Sequence, residues 1–282
     1  MAGLLAAGMV AVLLLGMTAA FMYGTQFAPE EGERLLADPL ADEALGLLSL
    51  AVGIPAVMLG VRWCGSRPAG TLLSVTGRLR WHWLGLCSGL AFAVMALNMG
   101  GLALWDWLAN GDEIFTGEAP GPGRLVAGLT VFLVIVPFQA AAEELVFRGW
   151  VPQFFGGFLS SPWPGVVVGS VLFALAHGFG GWSGFLLLLY SALWWGWLVE
   201  RTGGLEAVIA VHTANNLLAY GIALALGQLA DTGTAADAPW QALLAELVTA
   251  PAYCLLVARL AKKRGITARR PTVRDGGMPR LV

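Results

Sequence analysis

Glu143, Glu144 and Arg148 stand in the stretch FQAAAEELVFRGW, residues 138–150. His177 closes FALAH, and His212 and Asn216 begin and end HTANN. These side chains move protons and bind developing negative charge: a carboxylate serves as general base, a histidine assists it, and an amide donates to an oxyanion. Glu144 and Arg148 are four residues apart, so on a helix they pair along one face. Glu143 projects about 100° away from them and has no partner in its own segment. A buried carboxylate without a partner is poised to take up a proton, which is what a general base requires. His212 and Asn216 are again four apart and face one cavity, whereas Asn215 points elsewhere, as a residue bonding between helices. Each piece also has a structural reading: an ion pair with a spare carboxylate, a histidine ending a helix, polar glue between helices. Five polar groups on three consecutive apolar segments are more than packing requires, and intramembrane ionisable residues are functional candidates by default.

The elements that carry them are set by composition. The 282-residue chain is 57% hydrophobic and 12% charged, with mean hydropathy +0.73; a soluble domain carries roughly 25% charged residues. A spanning helix needs about 20 apolar residues, and the charge-free gaps predict eight: 3–24, 43–63, 83–106, 125–150, 164–178, 183–200, 205–228 and 240–260. The first lacks the basic start of a signal peptide and exceeds a typical apolar h-region, so it reads as a helix. The last is the weakest, because it carries Glu246. Pro162, Pro164 and the glycines at 178, 180 and 181 divide the long apolar run after Arg148.

Charge alternates between the connections. Residues 25–43 hold six acids and one arginine, whereas Arg62, Arg67, Arg78 and Arg80 share one segment without an acid. Lys262, Lys263, Arg264, Arg269, Arg270, Arg274 and Arg280 crowd the tail. Arginine-rich short loops stay cytoplasmic, so the expectation is an all-α integral membrane bundle of about eight helices with both termini cytoplasmic. Three N-terminal spans (1–124) precede a polar core (125–228), a last span (229–261) and a basic tail (262–282) expected to be disordered. The tail reads as an orientation signal and not as a nucleic-acid arm. His82, between Trp81 and Trp83, reads as an interfacial anchor. Cys64, Cys87 and Cys254 are scattered and form neither a disulfide framework nor a metal pattern. Depth is less consistent. Counted from residue 160, Glu143 and His177 lie about 25 Å in, but His212 lies only about 12 Å from the Gly203–Gly204 turn. Either tilt or a turn at 158–163 that stops short of the membrane surface has to account for the difference.

EELVFR, FALAH and HTANN together resemble the three-part signature EExxxR, FxxxH, HxxxN of the CPBP family. That family holds the type II CAAX prenyl endopeptidases and their bacterial relatives, including bacteriocin-immunity proteins. The resemblance covers residues 125–225. It implies a site within the membrane, open to the cytosol, that hydrolyses a peptide bond: Glu143 activates water with help from His177, His212 and Asn216 stabilise the oxyanion, and Glu144 with Arg148 holds the helix. A zinc ion on Glu143, His177 and His212 is the alternative to metal-free hydrolysis. However, HExxH is absent and asparagine is a poor zinc ligand. The expectation is therefore a metal-independent enzyme with no required cofactor. Its substrate would be a membrane-associated peptide or protein, its partner the lipid bilayer, and its location the plasma membrane, as a multi-pass protein. The Ala/Gly/Arg-rich, Lys-poor composition points to a bacterium, so no CAAX substrate is expected. The rival readings are a proton-coupled transporter, against which no inverted repeat is visible, and a non-enzymatic immunity or scaffold protein.

Overall fold

In lipid a single segment satisfies its backbone only as a helix, and the apolar runs fold accordingly. The computed structural model describes residues 35–64, 68–111, 117–230, 233–268, 271–274 and 277–281; the span expected at 3–24 lies outside them. In order, the helices are α1 (Pro39–Ala51), α2 (Gly53–Cys64), α3 (Trp81–Asn110), α4 (Pro122–Glu144), α5 (Val151–Gly156), α6 (Trp163–Ala176), α7 (Trp182–Thr202), α8 (Glu206–Ala225) and α9 (Trp240–Lys263). A π-helical stretch, Leu145–Trp150, joins α4 to α5. The tail, expected to be without structure, carries a short antiparallel pair, Pro271–Arg274 with Gly277–Leu281.

Six segments are long and apolar enough to cross a membrane: Pro39–Trp63, Trp81–Asn110, Pro122–Gly156, Trp182–Thr202, Glu206–Ala225 and Trp240–Lys263. This is a multi-pass membrane protein. The predicted span at 164–178 is a correction. Helix α6 has 14 residues, about 21 Å at 1.5 Å per residue, and falls short of the ~30 Å hydrocarbon core.

The two ends of the bundle differ in charge. At one end the loop bearing Arg78 and Arg80 meets the α7–α8 turn. Val75 N donates to Gly203 O at 2.8 Å, and Leu205 N to Leu73 O at 2.9 Å. Gly203 makes this turn in the left-handed conformation, φ 64°, and Thr267 and Ala268 of the basic tail lie against it. At the other end Arg124 pairs with Asp38 at 2.6 Å, and Glu118 lies against Gly227.

Helix α8 is the spine. Ala207, Val208, Val211 and Ala214 are buried in one apolar cluster with Cys87, Ala91 and Met95 of α3. Its later turns, at Ala223 and Leu224, pack on Phe132 and Val136 of α4. The last span tolerates Glu246 because that carboxylate accepts from Ser191 Oγ at 2.5 Å and Thr249 Oγ1 at 2.8 Å. Bonding the charge in this way offsets its burial.

Candidate active site

The three motif segments converge. Helix α4 delivers Glu143 and Glu144 at its end, where Pro137 has already interrupted the backbone ladder. The π-helical stretch then carries Arg148. Such wide turns recur at functional sites. Helix α6 brings Phe173 and, at its C-terminal cap, His177; α8 brings His212, Asn215 and Asn216.

Glu144 is the hub, and it has no exposed surface. Its Oε1 accepts from Arg148 Nη1 at 3.1 Å and from His212 Nδ1 at 2.7 Å. The i,i+4 pairing expected within the helix is present, and the same oxygen also holds the histidine of another span. Because a carboxylate only accepts, His212 Nδ1 carries a proton, and its other nitrogen, Nε2, is the one left for the site. That Nε2 faces Glu143 Oε2 across 3.9 Å. Glu143 Oε2 is buried and has no hydrogen-bond partner among the described residues.

Glu143 is not wholly unpartnered, as its own segment implied. Gln139 Nε2, one turn back, donates to its Oε1 at 2.5 Å. Gln139 Oε1 in turn accepts from Asn216 Nδ2 at 3.0 Å, and Asn215 Nδ2 donates to Asn216 Oδ1 at 3.0 Å. Asn215 therefore belongs to the same polar line. Gln139 lies outside the three motifs and was missed. Its i,i+4 spacing to Glu143 was the readable signal.

Phe173 ties the remaining pieces together. The Arg148 guanidinium sits 3.9 Å from its ring centroid, and Trp195 flanks the same cation at 5.1 Å. The His177 ring packs on Phe173 at 4.6 Å, and the His212 ring meets it edge-on at 5.9 Å. His177 Nδ1 lies 2.9 Å from Phe173 O. A carbonyl only accepts, so this nitrogen holds the proton and His177 Nε2 is left as an acceptor.

The depth discrepancy has a different origin from either expected one. Gly149 lies against Leu72 O and Leu205, so the level of the Gly203–Gly204 turn is reached near residue 149. The hairpin of α5 and α6 continues beyond it to a turn at 157–162, held close because Gly169 abuts Phe147 O. Measured from that common level, Glu144 and His212 are five and seven residues in, about 8–10 Å. The site therefore lies nearer the basic end.

Among the described residues, no three His, Cys, Asp or Glu side chains are grouped so as to hold a metal ion. In the set Glu143, His177 and His212, Nδ1 of each histidine is bonded to protein and Nε2 is left open.

Residues 125–218 match the family model described as type II CAAX prenyl endopeptidase Rce1-like. The chain is also similar to the uncharacterized protein YyaK of Bacillus subtilis (strain 168), 28% identical over 192 residues. That match covers 66% of this chain and 62% of the relative's length. No solved structure matches the chain.

Proposed function

We propose that this chain, whose residues 125–218 match the Rce1-like endopeptidase family, is an intramembrane endopeptidase that hydrolyses a peptide bond of a membrane-associated peptide or protein. The observation that carries the reading is the free Glu143 Oε2, buried and 3.9 Å from His212 Nε2. In the reaction, Glu143 takes a proton from water and the resulting hydroxide attacks the scissile carbonyl carbon. His177, with Nε2 open, assists the base. Asn216 Nδ2 and a protonated His212 Nε2 donate to the oxyanion, a type of interaction worth about 3–4 kcal/mol per donor. Glu143 then returns the proton to the leaving amine, so that water and peptide become acid and amine. No metal is required.

The charge asymmetry supports an orientation with the basic end, and the nearby site, facing the cytosol of a bacterial plasma membrane.

The test is cleavage of a quenched fluorescent lipopeptide by detergent-purified protein, wild type and Glu143→Gln, each with and without a strong chelator. Loss in the variant alone supports glutamate-activated water. Loss to the chelator as well moves the site to zinc. Equal cleavage by both proteins overturns the reading in favour of a relay or a scaffold.

A further inference from the structure

Gln139 is 3% exposed and lies between two side chains to which the proposed hydrolysis gives different tasks. It donates to Glu143 Oε1 at 2.5 Å and accepts from Asn216 Nδ2 at 3.0 Å. The direction of this line is dictated from one end. An ionised Glu143 accepts only, so Gln139 must turn Nε2 toward it and Oε1 away. Oε1 accepts only, so Asn216 must present Nδ2, and its Oδ1 is left to take the Asn215 amide at 3.0 Å.

Two consequences follow. One oxygen of the base is occupied, which leaves Oε2 as the oxygen turned to His212. The Asn216 amide is also held with its nitrogen toward the site. One N–H is spent on Gln139, and the second is the donor for an oxyanion. Were the amide reversed, an oxygen would meet the oxyanion and repel it.

We propose that Gln139 is a positioning residue that orients the base and the oxyanion donor together, its bond to Glu143 setting which atom Asn216 presents. This rests on the endopeptidase reading. Around Glu143 the other charged or titratable groups are Glu144 and Arg148 on its own segment, and His212 and Tyr220 of α8. Tyr220 in turn bonds Glu43 of α1.

The experiment uses the full chain in detergent and the same lipopeptide. It compares wild type, Gln139→Leu, Gln139→Glu and Glu143→Gln by kcat, KM, pH profile and thermal melting. Gln139→Leu, which can make neither bond, is expected to lower kcat about 10- to 100-fold with KM within about twofold, because the lost orientation matters mainly in the transition state. Gln139→Glu, nearly isosteric, places a like charge on the base and is expected to move the acid limb of the kcat/KM profile to higher pH. If Gln139→Leu does not fold, the isosteric variant decides. Wild-type kcat and an unmoved pH profile in the folded Gln139 variants, with Glu143→Gln inactive, would sink the role of Gln139 and leave the endopeptidase standing. Full activity in Glu143→Gln would instead remove the endopeptidase reading and this inference with it.

Discussion

His212 Nδ1 lies 2.7 Å from Glu144 Oε1, so the second carboxylate of the Glu143–Glu144 pair, and not the first, holds the histidine. The consequence is a division of labour. Glu144 Oε1 is taken by Arg148 and His212, whereas Glu143 Oε1 is taken by Gln139 and its Oε2 is turned toward the histidine's other nitrogen.

Removal of the two carboxylates therefore has different effects. Glu144→Ala strands the buried Arg148 cation, and breaking a buried pair from one side costs about 3–5 kcal/mol. Both the melting temperature in detergent and the activity are expected to fall. Glu143→Ala is expected to abolish cleavage with a much smaller change in melting. Equal melting of the two variants would contradict the assignment.

Phe173 is held between a cation and two imidazoles. Phe173→Leu keeps apolar bulk but loses the ring over which Arg148 sits at 3.9 Å; a buried cation–π contact is worth about 2 kcal/mol. A loss of roughly tenfold or more in kcat/KM is expected, with Phe173→Tyr retaining most of the wild-type value. Wild-type kinetics in Phe173→Leu would show that the ring serves packing alone.

The start of α8 is fixed by a fork of bonds from Arg80. Nε reaches Glu206 Oε1 at 2.9 Å, Nη2 reaches Oε2 at 2.7 Å, and Nη1 reaches Thr202 O at 3.0 Å. Glu206 has no exposed surface, so Arg80→Ala leaves a buried charge unpaired and is expected to destabilise by about 3–5 kcal/mol. Arg80→Lys keeps the charge without the fork and is expected to fall between. A melting curve for Arg80→Ala that overlays wild type would refute this.

At the opposite end the expected signature is acid sensitivity. Burial alone would raise the Asp38 carboxyl, but its hydrogen bond to Arg124, and the backbone N–H groups at the start of α1, bring it below the ordinary value of 3.8. A group whose folded value is lowered stabilises above its unfolded value, and that contribution disappears as pH falls through the folded one. Asp38→Asn is thus expected to lower the melting temperature slightly at pH 7 and to narrow its gap to wild type below about pH 4, as both proteins become neutral there. The contribution is small because the pair is substantially exposed. A gap that widens on acidification would reverse the sign.

Much of this protein was legible from the order of its residues. The charge-free lengths place the chain in a membrane, and the contacts Glu144–Arg148 and Gln139–Glu143 are both i,i+4. Such relations depend only on the helical repeat, which every helix shares. Gln139 was overlooked despite that spacing, because an amide among alanines carries no charge to mark it. Other features were not legible at all. That Glu144 binds His212, 68 positions away, that Arg80 binds Glu206, 126 positions away, and that the α5–α6 hairpin overshoots the level of its neighbours all depend on the rotation and axial offset of one helix against another. Apolar side chains face lipid and helix interfaces alike, so hydropathy does not record either quantity. Side-chain packing among the assembled helices decides both, and it decides which of two adjacent glutamates bonds His212 Nδ1 and which faces its Nε2.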